Sequence, residues 1–167
     1  MCLNKHVLAS DMGWNNMEKW KEDLHNSFRK AVERRQREQD DKEQMRLKME
    51  PVIEDFYEWK VKPAFEELKI ELEKYGKKVQ LHMVGTDAHG IEVQNSNSEE
   101  EFSYSIRAEI TLKGMHIYPE IAFRDKDWKR YKITGKRNFS NVSKVTKEDI
   151  AQDFVDNIKP HIQDFIK

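Results

Sequence analysis

The chain has 167 residues, of which 37% are charged and 37% hydrophobic, and its formal net charge is −1. This balance creates no overall field that would favour nucleic acid or an acidic membrane, and the single cysteine excludes an intramolecular disulfide. No stretch approaches the ~18 continuous apolar residues of a membrane span, so we expect a cytoplasmic protein with no membrane partner.

Residues 1–13 predict a flexible tail, and residues 14–60 predict a helical arm. The arm contains no glycine, and Pro51 is its single proline. Apolar residues recur at heptad-related positions on both sides of the polar segment 33–44, which favours one long helix or two collinear helices. A helical hairpin connected through residues 33–44 is the alternative. That segment lacks the Gly, Pro, Ser and Asn that make turns, so the pattern favours the extended arm.

Large apolar side chains at the start of the arm form a stripe that an isolated helix would expose to water. Such a stripe is a liability unless a partner covers it, and the simplest partner is the same arm in a two-fold homodimer, with a coiled coil as its form. The side chains that we expect to carry self-association are Trp14, Met17, Trp20, Leu24 and Phe28.

Residues 61–167 predict a helix, an antiparallel sheet and a closing helix. Pro63 introduces the first helix, and apolar and polar residues then alternate with a period of two through five strands of a meander. Thr146 with Asp149 three residues later predicts a helix start. The fold class is therefore α+β: a long N-terminal helix or helical pair, a short helix, a five-stranded antiparallel β-meander and a C-terminal helix packed on the sheet.

The hairpin of residues 102–123 is the centre of the predicted sheet. With residues 113–114 as its two-residue turn, Arg107 faces Glu120 across the strands as an ion pair. In this register Pro119 occupies a hydrogen-bonded position without an N–H to donate. We therefore expect a bulge near Pro119, or a slightly longer turn.

A basic segment with interleaved aromatic residues crosses the predicted fifth strand, in which Tyr131 and Ile133 are expected to point inward. Such a segment can follow a phosphate backbone while bases stack on its rings, so nucleic-acid binding is an alternative function. Edge strands also carry Lys and Arg that prevent aggregation, and the nearly neutral chain favours this second interpretation. The residues of the possible nucleic-acid contact are Arg124, Lys126, Trp128, Lys129, Arg130, Lys132, Lys136 and Arg137.

No motif in the chain indicates catalysis, a metal site or a cofactor. His89 and Asp87 lie close together in one loop, but turn chemistry alone explains that loop, with His89 exposed. We therefore expect a non-enzymatic protein-interaction protein, an adaptor, regulator or inhibitor of a protein partner, that self-associates through its arm. A third alternative is a small-molecule binder with a pocket between the sheet and the C-terminal helix. The bulky inward residues of the sheet argue against that pocket.

Overall fold

The structure is a computed structural model that describes residues 11–124, 127 and 129–165, without the side chains of residues 11–17, 84 and 163–165. It confirms the α+β fold, with a long N-terminal helix, a five-stranded antiparallel sheet and a C-terminal helix. The elements in chain order are α1 (Asp11–Phe56), a π-helix (Tyr57–Val61), α2 (Lys62–Lys74), β1 (Lys78–Val84), β2 (Ala88–Gln94), β3 (Glu100–Thr111), β4 (Gly114–Arg124), β5 (Arg130–Thr134), α3 (Lys147–Ile158) and a 3-10 helix (Lys159–Phe165).

The chain divides into two compact units, Met1–Glu43 and Gln44–Lys167. Helix α1 continues without a break through residues 33–44 and through Pro51. Of the two arrangements that the sequence leaves open, the single long helix is therefore the one observed.

The second unit buries the aromatic segment that follows Pro51. Phe56, Tyr57 and Val61 are buried, whereas Trp59 is 71% exposed. The three-residue spacing of Phe56 and Trp59 would place both side chains on one face of an α-helix. The segment Tyr57–Val61 is a π-helix, whose wider turn changes the spacing at which side chains share a face.

The sheet is a meander with strand order β1-β2-β3-β4-β5. One face carries alternate buried residues of β3 and β4, among them Phe102, Tyr104 and Ile121. Phe65 of α2 packs edge-on against Tyr104, with ring centroids 6.1 Å apart, and Phe154 of α3 packs edge-on against Phe102 at 5.6 Å. The two helices therefore cover one face, and the opposite face carries polar side chains.

The register of the β3–β4 hairpin differs from the predicted one. The strands close with Thr111 opposite Gly114, so the turn is formed by residues 112 and 113 rather than 113 and 114. Gly114 has a φ of 126°, which explains why a glycine lies beside the turn. Each side chain keeps its predicted face, because the cross-strand partners shift by two residues and side chains alternate with a period of two.

The corrected register also explains Pro119 without a bulge, since its pairing with Ile106 is continuous with that of its neighbours. The Pro119 carbonyl accepts a hydrogen bond of 2.8 Å from the Gly135 N–H. A strand residue directs its nitrogen and its carbonyl to the same side. The nitrogen of Pro119 therefore points away from β3, and no ladder hydrogen bond between the two strands is lost.

Strand β5 lies at the edge of the sheet, next to β4. Tyr131 pairs with Phe123 and Ile133 pairs with Ile121, so both lie on the apolar face as predicted. They are nevertheless 45% and 49% exposed, so neither is a core residue. An edge strand has a neighbour on one side, so its inward side chains stay partly open to water.

Helix α3 begins with the predicted capping box. The Thr146 side chain accepts a hydrogen bond from the Asp149 N–H at 3.1 Å, and the Asp149 carboxylate accepts one from the Thr146 N–H at 3.0 Å. The helix buries Ile150, Phe154 and Ile158 and gives way to the 3-10 helix just before Pro160, as a proline inside a helix favours.

Candidate interaction surfaces

Helix α1 presents an apolar row in the first unit, which we call the arm row: Trp20, Leu24, Phe28 and Val32. Its members are four residues apart and therefore neighbours on one side of the helix. Their exposed fractions are 52%, 50%, 65% and 64%. The side chains of Trp14 and Met17, which the sequence also assigns to self-association, lie outside the described residues.

Val32 is the member of the arm row that sequence reasoning missed, although the four-residue spacing from Trp20 pointed to it. Near Val32, exposed charged side chains form ion pairs within the helix. Arg29 Nε lies 3.9 Å from a Glu33 oxygen, and Arg34 Nε lies 3.5 Å from a Glu38 oxygen. Exposed pairs of this kind contribute roughly 0.3–0.5 kcal/mol each, so they leave these charges available to another molecule.

Several charges of the predicted nucleic-acid surface are paired with carboxylates. Arg130 donates two hydrogen bonds to Glu100, at 3.0 and 3.3 Å, and Arg137 donates one to Asp149 at 2.5 Å. Lys132 lies 2.9 Å from a Glu120 oxygen.

The other described residues of that surface lie at the end of β4 and on either side of β5. Arg124 is the last residue of β4, Lys129 directly precedes β5, and Lys136 is exposed in the loop after β5. Lys126 and Trp128 lie outside the described residues. Among the described residues of that surface, Arg130, Lys132 and Arg137 therefore lie in carboxylate pairs.

Glu120 is the charge centre of the polar sheet face. It accepts a hydrogen bond of 2.9 Å from Arg107, so the predicted ion pair exists. In the corrected register, however, Arg107 stands opposite Tyr118 and reaches Glu120 diagonally. Burial pushes the pKa of Glu120 up, but the hydrogen bonds and charges of Lys132 and Arg107 outweigh it and hold that pKa below its ordinary value.

His89 is buried, not exposed as the sequence suggested. Its ring stacks on Tyr57 at a centroid distance of 4.1 Å and an interplanar angle of 11°. Nε2 lies 3.1 Å from the Gly85 carbonyl and therefore carries the proton. Burial lowers the pKa of His89 against the raising effect of that hydrogen bond. No local sequence signal could have placed this histidine against an aromatic ring 32 positions earlier.

A cavity of about 460 Å³ opens beside the His89 ring, lined by Thr86 and by three glutamates of successive helical turns. Glu50 lies 3.5 Å from the Thr86 hydroxyl, and Glu58 accepts a hydrogen bond of 2.8 Å from Lys62. Among the described residues, no group of three or more His, Cys, Asp or Glu side chains is arranged to hold a metal ion.

The space between the sheet and α3, which the third alternative requires, is filled by rings. Phe154 packs against both Phe102 and Tyr104, each at a centroid distance of 5.6 Å and nearly perpendicular. The Tyr104 hydroxyl donates a hydrogen bond of 2.6 Å to Asp153 of α3. This layer is core packing.

Comparisons with protein families, with curated proteins and with solved structures found no match to this chain. Within the described residues, no helix combines the length and the apolar character that crossing a membrane requires.

Proposed function

We propose that this protein is a non-enzymatic interaction protein that self-associates through the arm row, and that the dimer serves as an adaptor, regulator or inhibitor of a protein partner. The observation that carries the proposal is the arm row itself. Four large apolar side chains follow one side of a helix, and each is half or more exposed. Single exposed apolar residues need no explanation, but a continuous row indicates an interaction site.

Burial of the arm row would supply the driving force for association. A large apolar side chain that moves from water into an interface contributes roughly 1.5–3 kcal/mol. Two copies of the row bring eight such side chains together, before the entropy of association is subtracted. Tryptophan and phenylalanine are also among the residues that dominate binding energies and interface composition. A dimer that forms at micromolar concentration is consistent with these magnitudes.

The remaining surfaces support this function over its alternatives. Glu100 and Glu120 offset the charges of Arg130 and Lys132, so β5 presents less net positive charge to a phosphate backbone than its own sequence indicates. The volume that a small molecule would need between sheet and helix is occupied by Phe154 and its neighbours.

The experiment is sedimentation equilibrium of the full chain at tens of micromolar. We expect the native protein to be a dimer and the Trp20→Glu/Leu24→Glu variant to be a folded monomer with an unchanged β-sheet circular-dichroism signal. The matched control is Trp59→Glu/Ile70→Glu, which also places two glutamates at exposed apolar positions, 71% and 57% exposed, but outside the arm row. This control should remain dimeric. A native protein that sediments as a monomer at this concentration would overturn the proposed function.

A further inference from the structure

We infer that the cavity beside His89 binds an arginine side chain of the protein partner. This inference rests on the proposed function, because it names the chemistry by which that partner is held. The cavity measures about 460 Å³, and its lining includes Glu50, Glu54 and Glu58 together with Thr86 and His89 of the β1–β2 hairpin. All of these residues belong to the second unit, whereas the arm row belongs to the first.

The lining carries more negative charge than the protein itself neutralises. Glu58 pairs with Lys62, whose ammonium lies 2.8 Å from the carboxylate. In the part of the chain that the structure describes, no lysine or arginine pairs with Glu50 or Glu54. Glu54 is exposed and Glu50 is half-buried. The cavity therefore offers two carboxylates to a cation from another molecule.

The side-chain hydroxyl donors of the lining are already in use. The Thr86 hydroxyl donates to Glu50 at 3.5 Å, and the Tyr57 hydroxyl donates to the Ile106 carbonyl at 3.1 Å. Ionised carboxylates accept hydrogen bonds and donate none. A ligand that matches this cavity must therefore bring both a positive charge and hydrogen-bond donors.

His89 is an independent sign that a donor is missing. The residue is 9% exposed, and its Nε2–H is used by the Gly85 carbonyl at 3.1 Å. Among the described residues nothing donates to Nδ1, which is buried and carries a free lone pair. A buried acceptor without a partner is costly. A donor in the cavity reaches this nitrogen when the ring turns in the cavity wall.

A guanidinium group satisfies these requirements together. No three side chains among the described residues are arranged to hold a metal ion, so the cation is an organic one. A guanidinium carries five N–H donors in a planar fork, pairs with carboxylates two bonds at a time and stacks on aromatic rings. The cavity supplies carboxylates and the His89 ring, which is stacked on Tyr57. Tyr57 and Glu58 belong to the π-helix, a distortion that is frequent at functional sites.

Nuclear magnetic resonance titration of the full chain tests the site. The probe is the peptide acetyl-Gly-Ser-Arg-Ser-Gly-amide, and two matched peptides carry lysine or citrulline in place of arginine. Citrulline has nearly the shape of arginine without its charge. We expect the arginine peptide to bind at least about fivefold more tightly than the lysine peptide and to shift the Nδ1 resonance of His89. The citrulline peptide should not bind. Binding of the arginine peptide should weaken at about 0.5 M salt.

Two double variants with the same change of charge test the lining. Glu50→Gln/Glu54→Gln removes the two carboxylates available to a ligand and should raise the dissociation constant of the arginine peptide about tenfold. Glu71→Gln/Glu73→Gln removes two exposed glutamates of α2 outside the cavity and should bind as the native protein does. Both variants should keep the native circular-dichroism signal and remain dimeric, because neither changes the arm row.

Agmatine, which carries a guanidinium without a peptide backbone, distinguishes a free small molecule from the side chain of a partner. Agmatine that binds about tenfold or more tightly than the peptide overturns the assignment to a protein partner. A citrulline peptide that binds like the arginine peptide, or a Glu50→Gln/Glu54→Gln variant with native affinity, overturns the cation site. Both results leave the self-association standing. A monomeric native protein that binds the arginine peptide overturns the self-association and supports the site.

Discussion

The hydroxyl of Tyr104, in the central strand β3, donates a hydrogen bond of 2.6 Å to the carboxylate of Asp153 in helix α3. Both residues are buried, with exposed fractions of 0% and 7%. Burial raises the pKa of Asp153 above its ordinary value, although the hydrogen bond from Tyr104 and the charge of Arg137 lower it. The contact fixes α3 on the sheet through a polar group that is costly to leave unpaired.

We predict that Tyr104→Phe lowers the free energy of unfolding by about 1–3 kcal/mol, because it leaves the buried Asp153 without its hydroxyl donor. Asp153→Asn keeps an oxygen acceptor for that donor and removes the buried charge. Urea denaturation at pH 7 should therefore find Asp153→Asn at least as stable as the native protein. Asp156→Asn, at an exposed position of the same helix, should change stability by less than about 0.5 kcal/mol.

The pH dependence of the Asp153→Asn effect follows from the raised pKa of Asp153. The folded state holds the carboxyl proton of Asp153 more tightly than the unfolded state does. The stability that this proton contributes is complete below the unfolded pKa, 3.8, and is lost as the pH rises through the folded pKa. The advantage of the asparagine variant should grow between about pH 4 and pH 7. An advantage that is constant over this range would contradict the assignment of the buried charge.

The second prediction concerns His89, whose pKa is lowered by burial. The unfolded chain binds a proton at its ordinary histidine pKa, 6.5, before the folded protein does. Stability from this group is therefore present above that pKa and lost as the pH falls below it. In His89→Phe, which keeps a ring against Tyr57, this loss between about pH 7 and pH 5 should disappear. Thermal denaturation of both proteins over that range is the measurement, and parallel profiles would refute the prediction.

The third prediction concerns the close approach of Gly135 and Pro119. A Cβ on Gly135 would lie 2.5 Å from Pro119 Cγ and 3.0 Å from Ile121 Cδ1. Gly135→Ala should therefore cost about 1–3 kcal/mol of stability through overpacking. Pro119→Ala removes the nearest atom. The stability lost in the double variant should therefore be smaller than the sum of the two single losses, by about 0.5 kcal/mol or more. Additive effects in this double-mutant cycle would show that the two residues do not touch.

The fourth prediction tests the nucleic-acid alternative directly. Because Arg130 and Lys132 are held by Glu100 and Glu120, we expect no binding of the native protein to single-stranded or duplex nucleic acid at low salt, measured by fluorescence anisotropy. Should binding occur, Lys129→Ala/Arg130→Ala/Lys132→Ala must weaken it and flatten its salt dependence for β5 to be the contact surface.

The sequence by itself determined the order of the elements and the face of each strand. Periods of two and of about 3.6 residues are local properties of the chain, because they record which side of a strand or helix is buried. For the same reason, helical spacing alone is enough to select the exposed apolar side chains Trp20, Leu24 and Phe28. The capping box of Thr146 and Asp149 is local in the same sense, since all its hydrogen bonds lie within four residues.

Tertiary structure decided everything that depends on which distant segments meet. The turn at residues 112–113 is selected because it lets Pro119 point its nitrogen away from β3, a constraint that the alternation pattern does not contain. The π-helix at residues 57–61 turns Trp59 outward while Tyr57 reaches His89. The carboxylate partners of Arg130 and Lys132 come from β3 and β4. Local periodicity specifies the face of the strand or helix on which a side chain lies. The side to which a strand residue directs its backbone hydrogen-bonding groups, the stacking of rings and the neutralisation of charges depend instead on contacts between different segments of the chain.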